Sequence, residues 1–292
     1  MTINGPERPG STPAQERFSD TEATFGDLSR IMLSRLNSTI EGDIIPRLML
    51  AFDSVPASAE ATNVRPPMRD GLDASVEEFV RLVLAHDASV AKDFVRALRA
   101  EGFGLSRIYL DLLAPAARRL GNMWEDDECT FTDVTIGVCR LHEILLEFSR
   151  CFDGDCADTS NGLSALIVPA VGEQHTFGLF VVLEFMRRGG WNCWSGTPGT
   201  MRDFRRLLRA RTFDVVGISV AADRHLDIVS EQIAEIRRHC PDEVVVVAGG
   251  RPFHAAPDLA RELGADGTAD DGPTAVRTLA DLCRKTKRKG PK

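Results

Sequence analysis

No apolar run in this chain approaches the length of a bilayer-spanning helix, and the polar stretch Met1 to Phe18 has no signal-peptide core. Both absences point to a soluble protein of the cytoplasm. Cys-x-x-Cys pairs are missing too. The seven cysteines are odd in number and irregularly spaced, which argues against a disulfide framework or a zinc site and fits reduced thiols. Cys193, between Trp191 and Trp194, reads as a core residue. The α/β part has neither Gly-x-Gly-x-x-Gly nor a P-loop, so a nucleotide-binding reading has little to stand on. There is no helix-turn-helix or zinc-finger pattern, and a formal net charge of −8 works against non-specific nucleic-acid binding by the protein as a whole. Positive charge is local. Arg202, Arg205, Arg206, Arg209 and Arg211 cluster on one predicted helix, and residues 285–292 form a basic tail. A solvated helix face and a frayed tail are the first readings; a partner-binding patch is the second.

What is present is an ordinary globular composition, 43% hydrophobic and 27% charged over 292 residues, enough for two packed domains plus extensions. Residues 1–23 are polar and rich in Pro, Gly, Ser and Thr, and are expected to be disordered. Over residues 24–52 apolar side chains recur at helical spacing (Leu28, Met32, Leu36, Ile40, Ile44, Leu48), with Gly42 and Pro46 kinking or splitting the run. A linker with Pro56, Pro66, Pro67 and Gly71 fills residues 53–73. Residues 74–150 carry four apolar stripes: Val76, Phe79, Val80, Val83; Val90, Phe94, Ala97, Leu98; Leu105, Ile108, Leu112, Ala116; and Val134, Val138, Leu141, Leu145, Phe148. One stripe per helix with short connections predicts a four-helix bundle. A second linker, residues 151–162, leads into an α/β domain at residues 163–284.

That domain is organised around Leu163 to Gly190. A strand-length apolar run ends at Val171, a turn follows, and the apolar-periodic segment Leu179 to Met186 is closed by Arg187-Arg188-Gly189-Gly190. The turn holds Glu173-x-His175-x-x-Gly178. His175 can offer one ring nitrogen to a metal while Glu173 fixes the tautomer through the other, and Gly178 leaves room for a bulky group along the backbone. Ser219 ends the third predicted strand and Gly249-Gly250 the fourth, so all three features share the carboxyl edge of the sheet. A short fifth strand is predicted at Gly264 to Thr268. Five parallel strands with interleaved helices suit the flavodoxin-like order 2-1-3-4-5, with the ligand site at the ends of strands one and three.

Glu-x-His-x-x-Gly, then Ser-Val-Ala, then Gly-Gly on successive strands resembles the cobalamin-binding domain of methionine synthase, the mutases and the cobalamin photoreceptors. Between the third and fourth helical stripes, Leu120-Gly121-Asn122-Met123-Trp124-Glu125-Asp126-Asp127 reads as a helix stop followed by a Trp in an acidic loop. The indole there can fill the core or cover a flat ligand. A helical bundle with such a Trp ahead of the α/β pattern resembles the photoreceptors' cap, in which the Trp sits over the corrin's upper face. The resemblance implies a helical cap over a cobalamin-binding sheet domain. It further implies His175 as the cobalt ligand, with Trp124, Glu173, Thr176, Gly178, Ser219, Val220, Gly249 and Gly250 around the cofactor. The photoreceptors' Glu-His pair, about ten residues after the Trp, is absent; Asp133, Val134 and Thr135 stand there, and His142 lies about 10 Å further along the helix axis.

The photoreceptors' DNA-binding domain is absent as well. In its place, Ile40 to Ala51, together with Tyr109 to Gly121 and Trp124-Glu125-Asp126-Asp127, resembles the AerR/PpaA family of cobalamin-binding regulators of photosynthesis genes in purple bacteria. That resemblance runs over most of the chain from Leu28 onward. It implies a cytoplasmic, non-enzymatic antirepressor that takes hydroxo- or adenosylcobalamin and acts on a CrtJ/PpsR-type repressor, with no sequence-specific DNA binding of its own. A corrinoid-carrying subunit of a methyltransferase or mutase is the alternative, and a heme sensor of the same fold, as in the AppA antirepressor, a third.

Overall fold

In a computed structural model, the described residues are 72–85, 88–152 and 160–289. The expected disordered segment 1–23, the amphipathic segment 24–52 and nearly all of the first linker lie outside them, as do most of the second linker and residues 290–292.

The first described body of helices follows the four stripes. Helix α1 (Val76–Ala85) is preceded by a 3-10 turn at Leu72–Ser75, and α2 (Ala88–Ala100) packs on it. Phe79 and Phe94 meet across this pair with ring centroids 5.6 Å apart. The third stripe becomes one long helical run: α3 (Leu105–Arg107), a π-helical stretch Ile108–Leu113, and α4 (Ala114–Glu125). Pro115 accounts for the widened turn. A proline inside a helix has no N–H to give and crowds the carbonyl four residues back, and the π stretch just before it relieves that clash. Helix α5 (Phe131–Phe152) closes the bundle. Tyr109, fully buried, donates its hydroxyl to the Leu145 carbonyl at 3.2 Å, and Gly137 lets α5 approach α4, since a Cβ there would sit 2.9 Å from Leu120 Cδ1.

The helix does not stop at Gly121 but runs through it to Glu125, so Trp124 lies in the last helical turn and not in a loop. A single glycine costs a helix only about 1 kcal/mol. The chain turns later, at Asp127, a non-glycine residue with positive φ (57°), where the Met123 carbonyl accepts the Glu128 N–H at 2.7 Å.

The α/β part is a parallel sheet in the order β2-β1-β3-β4, from β1 (Ser164–Pro169), β2 (Asn192–Ser195), β3 (Val215–Ser219) and β4 (Val245–Gly249). Helices α6 (Phe177–Arg188), α7 (Met201–Ala210), α8 (Leu226–His239), α9 (Arg251–Ala255), α10 (Leu259–Glu262) and α11 (Gly272–Lys289) connect and follow the strands. Strands buried on both faces need continuous apolar runs, and Leu166, Val216 and Val246 pair in register through the middle of the sheet. Phe204 and Leu208 of α7 and Val229, Ile233 and Ile236 of α8 fill one core. On α6, Phe185 packs tightly against Gly272, the first residue of α11. The fifth strand is reduced to a single parallel bridge, Val247 with Gly267. Two glycines flank the segment, and the Asp266 carboxylate takes the Val246 N–H at 2.7 Å, a position where a longer ladder would have placed a backbone carbonyl.

The bundle rests on α6, the helix that starts just after His175. His142 of α5 stands edge-on to Phe177 and Phe180, with centroids 5.0 and 5.2 Å apart. Ser149 hydrogen-bonds the buried Glu184, which pairs with Arg187 at 3.0 Å, and Arg188 donates to the Ser106 hydroxyl at 2.6 Å. No described helix is long and apolar enough to cross a membrane.

Candidate functional site

At the carboxyl edge of the two central strands the chain leaves the sheet in two loops, and these converge on one carboxylate. β1 ends at Pro169; Gly172 turns with φ at 83°, and Glu173 points back into the sheet with its side chain fully buried. One Glu173 oxygen accepts the backbone N–H groups of Gln174 (2.9 Å) and His175 (3.0 Å) and the His175 Nδ1–H (2.6 Å). The other accepts the Ala221 N–H and the His225 Nδ1–H, both at 3.0 Å. Burial by itself raises the pKa of this carboxyl, but the bonds from His175, Ala221 and His225 outweigh it and hold it at about 2. Glu173 is therefore ionised at any physiological pH.

With Nδ1 committed to that carboxylate, the neutral His175 ring carries its proton there and keeps a lone pair on Nε2. The imidazole is 63% exposed, so Nε2 is presented to the outside of the sheet edge. This is the second-sphere arrangement found behind metal-bound histidines, in which a carboxylate fixes the tautomer and raises ligand basicity. Among the described residues no three His, Cys, Asp or Glu side chains converge to hold a bare ion. A single preset imidazole suits a metal that already brings most of its own donors, as a corrin-held cobalt does.

The surroundings fit a bulky group of that kind. Gly178 lies in the first turn of α6, and a Cβ added to it would meet nothing within 4 Å, so the space beside it is open and the protein's own packing does not require a glycine there. Thr176 is the N-cap residue of α6, without a side-chain cap bond. Ser219 pairs with Gly249 across the ends of β3 and β4. Thr268 follows Gly267, whose carbonyl takes the Ala248 N–H; its hydroxyl is buried without a partner beside the end of β4, a polar atom left for something the protein does not supply.

The structure brings Glu173, His175, Thr176, Gly178, Ser219, Gly249 and Gly250 to one edge. Val220 joins them through its backbone only, since its side chain belongs to the core. Gly250 is required by the fold itself: its φ is 121°, and a Cβ would stand 1.9 Å from the Val220 carbonyl oxygen. Trp124 stands apart, on the bundle. Its indole is 47% exposed and meets Phe131 edge-on at 6.2 Å; with Ile136 these are the exposed large apolar side chains of the described residues. His142 is occupied elsewhere, with Nδ1 against the Val138 carbonyl at 2.9 Å, and burial holds its pKa below the ordinary value.

Sequence reasoning missed His225 and Gln232. His225 ends a 3-10 turn, Asp223–His225, six residues beyond Ser219 in the loop after β3. A loop leaving β3 at the same sheet edge was the available signal, but a three-residue turn has no periodicity to mark which side chain faces inward. Gln232, on α8, is fully buried and accepts the Val171 N–H at 2.9 Å, anchoring the start of the turn.

Comparison with known proteins agrees with this layout. Residues 163–280 match a B12 binding domain family, and residues 75–136 match a second family also described as a B12 binding domain. The backbone resembles the monomethylamine corrinoid protein of Methanosarcina barkeri, at 12% identity and a TM-score of 0.61, over 73% of this chain and 100% of that one. Cap and sheet domain together thus define a cobalamin-binding protein. Over 157 residues the chain is 30% identical to an uncharacterized 20.5 kDa protein encoded in the bchF-crtJ intergenic region of Rhodobacter capsulatus, covering 53% of this chain and 81% of that protein. The chain belongs to the AerR/PpaA family of cobalamin-binding proteins.

Proposed function

We propose that the protein is a non-enzymatic, cobalamin-dependent regulator that acts as an antirepressor on a CrtJ/PpsR-type DNA-binding repressor. The observation that carries this reading is the preset His175: an outward Nε2, held by a buried carboxylate, at the start of the helix on which the bundle rests. His175 would hold the cofactor's cobalt through its outward Nε2, in place of the dimethylbenzimidazole. Gly178, Ser219, Gly249 and Gly250, with Thr176 and Val220 beside them, would leave room for the displaced tail, and Trp124 would cover the cofactor from the bundle. Bound hydroxo- or adenosylcobalamin would supply a cobalt centre whose upper ligand changes with light or redox state.

The protein's own share is transmission. His175 precedes α6 directly, and α6 carries His142, Ser149 and Ser106 of the bundle through Phe177, Phe180, Glu184 and Arg188. A ligand that touches both His175 and Trp124 can bias how the bundle is held, by the roughly 1–3 kcal/mol typical of such coupling. The gene position of the Rhodobacter capsulatus relative, beside crtJ, supports a repressor as the partner. The test is capture of a CrtJ/PpsR-type repressor by the full chain, cofactor-free and loaded with hydroxocobalamin or adenosylcobalamin. Capture that depends on the cofactor is expected; capture indifferent to it overturns the mechanism, and tight operator-specific binding by the chain alone overturns the antirepressor reading.

The likeness to the monomethylamine corrinoid protein favours a second reading, a methyl-group carrier. It requires a methyltransferase partner, and transfer of a methyl group between the loaded chain and such an enzyme would decide for it.

A further inference from the structure

Away from the cobalamin edge, α7 and α8 enclose an open cleft of about 860 Å³ lined by Arg202, Arg205, Arg206, Arg209, Glu235 and His239. In a chain of formal net charge −8 this concentration of cations stands out. Arg205 is not free: it pairs with the nearly buried Glu235 at 2.6 Å, and Glu235 also takes Arg238. The one carboxylate lining the cleft is thus consumed. Asp203, the acidic neighbour on α7, is tied into the capping box with Thr200, and Glu231 lies one turn before Glu235 on α8. Arg202, Arg206 and Arg209 are exposed and make no ion pair with a described residue.

These three guanidinium groups recur at i, i+4 and i+7, so they follow one face of α7 over about 10 Å at 1.5 Å per residue. Phe204 and Leu208 on the opposite face are buried in the sheet core, which fixes the helix and with it the spacing. A rigid row of uncommitted arginines is suited to phosphate groups, which guanidinium recognises with paired N–H donors. A protein partner is the poorer match. Protein interfaces are anchored by aromatic and aliphatic side chains, and the cleft offers only Ala210, while the exposed large apolar side chains among the described residues, Trp124, Phe131 and Ile136, are on the bundle.

We infer that the α7–α8 cleft is a phosphodiester-binding surface that lays the protein against double-stranded DNA without reading base sequence. The inference stands apart from the cobalamin reading, because none of its residues lies at the His175 edge. It adds to the proposed function a way to hold the regulator beside a repressor already seated on DNA, at a low affinity set by three charges.

The test uses the full chain with a fluorescently labelled duplex of about 25 base pairs and a scrambled duplex of the same length, read by anisotropy against KCl concentration. With three phosphates neutralised, log affinity falls with log salt at a slope near −2.7, a loss of about 40-fold between 50 and 200 mM, the same for both duplexes. The combined Arg202→Gln, Arg206→Gln and Arg209→Gln variant loses about 0.9 of that slope per substitution and keeps the cobalamin spectrum of the parent, which separates this inference from the His175 site. Failure of either duplex to bind at 50 mM KCl overturns it. So does binding unchanged in the triple variant, or displacement of the duplex by polyglutamate at matched charge, which would assign the cleft to an acidic protein.

Discussion

Removing the charge of Glu173 should unsettle the protein even without cofactor. Glu173→Gln keeps the size of the side chain but turns one acceptor oxygen into an amide donor, and both oxygens now face N–H groups: Gln174 and His175 on one side, Ala221 and His225 on the other. A carboxyl held at about 2 against an ordinary 4.5 favours the ionised form by about two and a half decades, or on the order of 3 kcal/mol at roughly 1.4 kcal/mol per decade. Because the folded pKa is depressed, this stability is fully present above about pH 4.5 and is lost as pH falls toward 2. Urea unfolding of the cofactor-free chain, followed by circular dichroism between pH 3 and 7, reads both effects. The variant should be less stable by about 3 kcal/mol at pH 7 and should show a flatter acid limb than the parent. An unchanged midpoint at pH 7 together with an identical acid limb would refute the reasoning.

The histidine behind Glu173 gives a second prediction. His225→Ala, which removes one of the two donors to that carboxylate oxygen, should weaken hydroxocobalamin binding by about 10- to 100-fold, and His225→Asn, which restores an N–H donor, should recover much of it; equal affinity in all three proteins would remove His225 from the site. Gly250→Ala places a Cβ 1.9 Å from the Val220 carbonyl at a positive φ, and should cost at least about 2 kcal/mol in urea unfolding, whereas Gly178→Ala, with open space around it, should leave the cofactor-free stability within about 0.5 kcal/mol. Trp124→Ala should change the preference between hydroxo- and adenosylcobalamin more than it changes total affinity, measured by paired titrations; an unchanged ratio would count against its placement over the upper face.

Much of the site was legible because three of its parts are short local patterns fixed to strand ends. Glu173 and His175 sit in the turn after one strand and Ser219 and Gly249 close two others, all three strands having apolar runs that can be read directly, and parallel strands put their carboxyl ends on one edge. His225 was not legible, since its role depends on a three-residue turn folding back onto a carboxylate fifty-two positions earlier in the chain. Gly121 reads from sequence as a helix stop that leaves Trp124 in a loop, while the surrounding Leu120 and Met123 carry the helix through. The fifth strand was overcounted for a similar reason. Residues 264 to 268 have the apolar and small residues of a strand end, but Asp266 spends its side chain on the hydrogen bond a neighbouring residue would have made. The π stretch at Ile108–Leu113 was signalled only by Pro115, and its position follows from packing around Tyr109 and Leu113 that no periodicity displays.

The decisive measurement is the absorption spectrum of the full chain titrated with hydroxocobalamin, in parallel with His175→Ala. If Nε2 of His175 is the lower axial ligand, the parent should bind with a spectrum shifted toward imidazole coordination, and the variant should lose binding or retain the spectrum of the free cofactor. Full binding by His175→Ala with a spectrum identical to the parent's would contradict it.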